Sequence, residues 1–339
     1  MLLANLTVGD PARDPRARRV AEAAAAKGIP VAQVSLGRTA RPTPALPGKN
    51  ALRSVGRLGR TAMITGRLVW YARGVQPTIV HAHDLDTLPA AWLIARRRHA
   101  RLVYDAHELY TGFDADPPRL WLAIVRRVEG FLARRAAAVV TVSPELAAEL
   151  ERRHGLATRP LVVLNCPAIV DATVAEHPSL RAIYQAAAGP GRFLDDIPSV
   201  ANVAIAARVV GATSAPPHVE LLPPVTPDEI VSSLAPYDLG LVIDRTETEN
   251  ARLALPNKLF EYMMAGLAVV VPDAPAMSRL VDDEGIGVTY RPGQLGDVLE
   301  ELAADRARIE AMRIRARASA VERYNAEAQR PALYAAWGL

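Results

Sequence analysis

Three stretches hold residue types and spacings suited to chemistry. His81-Ala82-His83-Asp84 and Asp105-Ala106-His107-Glu108 each set imidazoles beside carboxylates. Such groups bind metals, move protons or hold a polar substrate. A third stretch, Leu255-Pro256-Asn257-Lys258-Leu259-Phe260-Glu261-Tyr262, reads as the start of a helix, with Pro256 suited to its first turn. Asn257, Lys258 and Glu261 are three or four residues apart there and so share a neighbourhood. The N–H groups of Asn257, Lys258 and Leu259 at such an end, with the Lys258 ammonium, suit a phosphate. Glu261, one turn in, is placed to accept two hydroxyls, as a ribose diol offers. The alternative for that helix is a capped surface segment with an internal Glu–Lys pair.

The elements that must position these residues read as alternating strands and helices. Leu2 to Val8, Val31 to Leu36, Thr78 to His83 and Arg101 to Tyr104 are expected strands, with helices between them. That order predicts a parallel sheet. Ligands of open parallel sheets sit outside the carboxyl ends of strands, so both His clusters are expected in one cleft. Asp84 to Pro89 is expected to cap a helix from Ala90 to Arg98, and His81 to be a core histidine beneath the sheet. Val203 to Val210, Leu239 to Ile243 and Ala268 to Val271 continue the pattern into a second α/β domain, with Asn165-Cys166-Pro167 as the hinge. The expected division is residues 1–166, residues 167–322, and a tail helix, 323–339, that crosses back to the first domain. A metal site is the natural alternative for the two His clusters. However, His99, His154, His177 and His218 offer no further ligand at a strand end, so no metal is expected.

Composition narrows the functional classes. The 339 residues are 50% hydrophobic and 22% charged, ordinary for two globular domains. The single cysteine, Cys166, forms no disulfide within the chain, which fits a reducing, cytoplasmic compartment. No run of about 18 apolar residues is present, and Met1 leads straight into an expected strand rather than a secretory signal. The net charge of +4 is unevenly spread: no acidic residue lies between Glu22 and Asp84. Within that interval Lys49 to Arg73 forms a basic amphipathic segment, with Arg53, Arg57, Arg60 and Arg67 on one helical face. It suits the anionic inner face of a membrane or an anionic acceptor, or else a helix packed on the sheet with a solvated arginine face. Nucleic acid is disfavoured because no recognition motif accompanies the charge.

The segment LPNKLFEYMMAGLAVVV closely resembles the donor-site segment of GT-B glycosyltransferases of the retaining family 4 type. VHAHDLDTLPAAWLIAR and LVYDAHELYTG resemble the paired segments of the same family's N-terminal domain. The resemblance implies two Rossmann-like domains facing a cleft, a nucleotide-diphosphate-sugar donor, and transfer of a hexose-type sugar with retention and without a metal. The acceptor would be a glycan or a lipid-linked species in cell-surface polysaccharide synthesis. By the same resemblance Glu261 holds the ribose, while Gly191, Arg192 and Lys258 meet the diphosphate. His107 orients the sugar with Glu108 beside it, and Asp14, Arg16, His83 and Asp84 line the acceptor side. Two positions depart from the family pattern: Leu253 stands where a second Glu is common, and Ile197 where a Lys is common. These departures favour one alternative, a non-catalytic binder of a glycan or partner enzyme; a second alternative is a nucleotide-sugar epimerase or hydrolase on the same scaffold.

Overall fold

The structure is a computed structural model that describes residues 1–37, 51–112, 119–171, 179–187, 194–243 and 246–339. Contacts divide the chain into two units. The first is Met1–Val163 with Arg330–Leu339, and the second is Leu164–Gln329.

The first unit alternates strand and helix: β1 (Leu3–Thr7), α1 (Pro15–Ala26), β2 (Val31–Ser35), α2 (Ala51–Tyr71), β3 (Ile79–His83), α3 (Asp84–Arg98), β4 (Arg101–Ala106), α4 (Arg119–Ala133), β5 (Ala138–Thr141), α5 (Pro144–His154) and β6 (Leu161–Val162). The strands form one parallel sheet in the order β2-β1-β3-β4-β5-β6. β1 and β3 are buried at every position, as a sheet covered on both faces requires. The strand order reverses between β1 and β3, which makes their carboxyl ends the switch point where ligands bind in such sheets.

The helix after β3 starts earlier than the sequence pattern indicates. α3 begins at Asp84, directly after the strand, and carries Pro89 in its second turn. The chain turns this sharply because Asp84 adopts φ +61°, a left-handed conformation that aspartate tolerates better than most residues.

The second unit holds β7 (Leu180–Ala187), β8 (Val203–Val210), β9 (Val219–Leu221), β10 (Leu239–Leu241), α6 (Glu249–Leu253), α7 (Asn257–Met264), β11 (Ala268–Pro272), α8 (Pro275–Glu284), β12 (Gly287–Tyr290), α9 (Leu295–Ala303) and α10 (Arg306–Glu322). Its sheet is parallel in the order β12-β11-β10-β7-β8-β9, reversing between β10 and β7. A single 3₁₀ turn, Ser232–Leu234, precedes β10, and the short α6 precedes α7. α11 (Ala326–Trp337) closes the chain; Leu333, Ala336 and Trp337 enter the core of the first unit with Leu3, Val103 and Val140.

α7 is seated by packing that only a glycine allows. A Cβ on Gly240 of β10 would collide with the Tyr262 ring. The Tyr262 hydroxyl accepts from the Gln185 N–H at 2.9 Å and donates to the Leu241 carbonyl at 3.1 Å. It therefore links β7 and β10 just past their last paired residues, Tyr184 and Leu241, and holds α7 at the second switch point. From the other side Arg313 of α10 donates to the Gly266 carbonyl at 3.1 Å and to the buried Asp238 carboxylate at 3.0 Å.

Candidate functional site

In the first unit the polar strand ends form one buried network. Arg16, in the first turn of α1, grips the Asp105 carboxylate with Nε and Nη2, both at 2.8 Å, and donates from Nη1 to the Val163 carbonyl at 2.6 Å. His81 Nε2 lies 3.2 Å from Asp105 Oδ2, and the Trp337 indole N–H donates to His81 Nδ1 at 3.2 Å. His83 Nε2 is 2.8 Å from Asn5 Oδ1, and His83 Nδ1 faces His107 Nε2 at 3.1 Å. Asp84 receives both the His107 backbone N–H, at 3.1 Å, and ring Nδ1, at 3.1 Å. The group sits at the β1–β3 switch point because Asn5 lies on β1, the two histidines end β3, and Asp105 pairs with His83 from β4.

The charges follow from these contacts. Burial alone would raise the Asp105 carboxyl, but the Arg16 guanidinium and the His107 and His81 rings outweigh it and hold Asp105 well below the usual carboxylate range. Burial pushes His83 well below its ordinary value, reinforced by His81 alongside. His81 is also lowered, mainly by burial, with Asp105 opposing. His107 goes the other way: burial disfavours its charge, yet the Asp84 and Asp105 carboxylates hold it well above the ordinary histidine value. Withdrawal from water and the Asp84 carboxylate push Glu108 up to about 7 against the pull of His107. The Glu108 side chain nonetheless reaches solvent, which screens part of that effect.

His81, His83 and Asp105 have ligating types close enough to surround one cation. The donor set does not fit one. Asp105 spends both oxygens on Arg16, whose guanidinium would oppose any added cation.

In the second unit Lys258 is 8% exposed, and its Nζ stands 5.1 Å over the Tyr184 ring at the β7 side of the switch point. Asn257 and Glu261 are half-buried on the same end of α7. Leu259 is fully buried and its N–H donates to the Pro256 carbonyl at 3.1 Å, so its part is packing rather than anion contact. Gly191 and Arg192 lie outside the described residues. Ile197, where the family pattern has Lys, is 2% exposed in the second unit's core.

Of the residues expected on the acceptor side, Arg16 and His83 are 4% and 3% exposed and hold the cluster together through Asp105 and Asn5. Asp14 caps α1, accepting from the Arg16 and Ala17 N–H groups at 2.9 and 3.1 Å. His81 is a core residue, as expected, but it also orients Asp105. Sequence reasoning missed Asn5, Asp105 as the hub, and Trp337. It also missed Arg208 on β8, 9% exposed, which donates to Gln185 Oε1 at 3.1 Å and Ser233 Oγ at 2.9 Å. No carboxylate pairs with Arg208 among the described residues. A charged residue inside the otherwise apolar run Val203 to Val210 was the available signal.

Residues 16–171 match the family described as Glycosyltransferase Family 4, and residues 183–329 match the C-terminal domain described as Glucosyltransferase 3-like. No curated protein matches the chain in sequence. Among solved structures, the sucrose-phosphate synthase of Thermosynechococcus elongatus superposes with a TM-score of 0.77 at 13% identity, over 100% of this chain and 98% of that one. Anabaena Alr3699/HepE in complex with UDP-glucose gives 0.68 at 16% identity, over 100% of both chains. A glycosyltransferase from Rickettsia africae gives 0.67 at 9% identity, over 99% and 97%. At such identities the likeness speaks for the fold: two six-stranded parallel sheets in the GT-B arrangement.

Proposed function

We propose, from the premise that this is a GT-B glycosyltransferase joining a Family 4 unit to a Glucosyltransferase 3-like C-terminal domain, that it moves a hexose-type sugar from a nucleotide-diphosphate sugar to a glycan or lipid-linked acceptor with retention. One observation carries the reading: Asn257, Lys258 and Glu261 stand together at the start of α7, at the switch point of the second sheet. Lys258 and the helix N-terminus meet the diphosphate, and Glu261 takes the ribose hydroxyls. The HepE structures with UDP and UDP-glucose make a uridine donor the first to try. Arg192 joins the phosphate contacts, and Asp84, His107 and Glu108 face the sugar and acceptor. Catalysis is electrostatic and needs no metal, since cations of the protein offset the charge of the leaving diphosphate.

The working location is the anionic inner face of a membrane, in cell-surface polysaccharide synthesis. Support comes from α2, where Met63, Trp70 and Tyr71 are 53%, 55% and 44% exposed and Arg73 stacks 4.2 Å over Trp70. Aromatic rings among arginines suit a lipid headgroup layer. No described helix is long and apolar enough to cross a membrane.

Calorimetry with UDP, GDP, ADP and TDP on wild type and Glu261→Ala tests the donor reading. Selective binding of one nucleotide, weakened by the substitution, is expected. Binding of none would favour the non-catalytic alternative, to which the apolar residues at 197 and 253 also point.

A further inference from the structure

We propose that His83 and His107 together hold one proton more than two neutral rings, that it resides on His107 as a fixed imidazolium, and that Asp84 is the positioning residue that keeps it there. The charge itself is independent of substrate; its use in catalysis rests on the glycosyl-transfer reading above.

The proton count follows from groups whose roles are unambiguous. An indole N–H only donates, so His81 Nδ1, 3.2 Å from Trp337 Nε1, accepts. The other nitrogen of His81 then donates to Asp105, and His81 is neutral. The Ala17 carbonyl only accepts, so the Asn5 atom 3.1 Å from it is the amide nitrogen. The opposite Asn5 atom is oxygen, and His83 Nε2, at 2.8 Å, donates to it. Asp84 is a carboxylate, so His107 Nδ1, at 3.1 Å, donates to it. Two nitrogens remain, His83 Nδ1 and His107 Nε2, 3.1 Å apart. Two lone pairs would repel at that distance, so a proton lies between them. Three protons on four nitrogens make the pair a cation.

The surroundings decide which ring carries it. His107 faces Asp84 from α3 and Asp105 from β4, the latter at 3.5 Å, with the Glu108 carboxyl next in sequence. His83 Nδ1 lies 3.6 Å from the same Asp105 oxygen, but His83 also faces His81 on its own strand and feels the Arg16 guanidinium of α1, so Asp84 is the carboxylate that separates the two rings. The directions in which burial and charge move the two rings agree: His83 down, His107 up. Asp84 meets His107 twice, through Oδ1 to the backbone N–H and Oδ2 to the ring, from a left-handed backbone that most side chains avoid.

One chemical consequence is an exclusion. With both ring nitrogens donating, His107 has no lone pair and is not the base that takes the acceptor hydroxyl's proton. What a fixed imidazolium favours is negative charge, such as builds on a departing phosphate oxygen.

The test is long-range ¹H–¹⁵N NMR of histidine-labelled full-length protein, with His107→Gln to assign the ring. Wild type at about pH 7.5 is expected to show His107 with both nitrogens protonated. Asp84→Asn keeps a residue that tolerates the left-handed turn but removes the charge; its His107 is expected to lose the second proton at lower pH than wild type. A wild-type spectrum in which every ring has one bare nitrogen overturns the proposal, and it does so even if the variant fails to fold. For the positioning role, Asp84→Asn is expected to lower kcat by about 10²-fold with the donor KM little changed. An unchanged kcat would overturn that role. If the chain turns over no nucleotide sugar at all, the catalytic reading fails while the spectra still decide the charge.

Discussion

The two switch points of this molecule are built differently. In the first unit, carboxylates, imidazoles and a guanidinium from β1, β3, β4 and α1 interlock below the surface, with Asp105 at 0% exposure as the hub. In the second, the chemistry is carried on the end of one helix, with Lys258 over an aromatic ring and Glu261 a turn behind. The first is a preassembled electrostatic device whose members hold one another. In the proposed function the second offers its charge to a nucleotide. Disturbing the first should therefore cost stability, and disturbing the second should cost affinity.

The largest expected effect is in the first unit. Asp105→Asn or Arg16→Met leaves a buried partner uncompensated and should destabilise the protein by about 3–5 kcal/mol. Urea unfolding measures this; a loss near zero would mean the network is not the strut described. Next come Lys258→Ala and Glu261→Ala. Each should weaken nucleotide binding by about 1.5–3 kcal/mol, the scale of a hydrogen bond to a charged group, with a smaller effect on unfolding. Equal losses of stability in both units would erase the contrast.

The pH dependence sharpens it further. A histidine held above its ordinary value contributes stability that is complete below about pH 6.5 and fades as pH rises through its folded value. His107 is such a group. Asp105, held below its ordinary value, contributes above about pH 4 and loses its contribution as pH falls through its folded value. Thermal melts of wild type and Asp84→Asn should accordingly differ most at mildly acidic pH and converge on the alkaline side. A gap that widens with rising pH would contradict the assigned charge. The smallest effect belongs to the surface of α2. Trp70→Ala with Arg67→Glu should change stability by no more than about 0.5 kcal/mol, yet reduce sedimentation with anionic vesicles in a salt-sensitive way.

Much of this was legible in the chain. Pro256 at the start of the run to Tyr262, followed by Ala268 to Val271, marked a helix feeding a buried strand, and α7 and β11 are those elements. The two His clusters were readable as strand ends because parallel strands are short apolar runs with an abrupt polar finish. Asp84 defeated the pattern: the run to Pro89 looks like a capping loop, but one left-handed residue starts the helix at once. The partner of Arg16 was hidden for a related reason. The place of Arg16 after an Asp-Pro pair is that of an exposed first-turn residue, and nothing local indicates that Asp105 lies above it.

The sequence by itself determined the alternation of strands and helices, the positions of the polar strand ends, and the helix start that suits a phosphate. These depend on periodicity and on a few neighbouring residues. Only the tertiary structure decided what the polar groups are. Arg16 meets Asp105 across 89 residues, and Trp337 reaches His81 across 256. Those two contacts set the charge of the hub and the tautomer of His81. Protonation is a property of surroundings, and the surroundings of a strand end are assembled from distant parts of the chain.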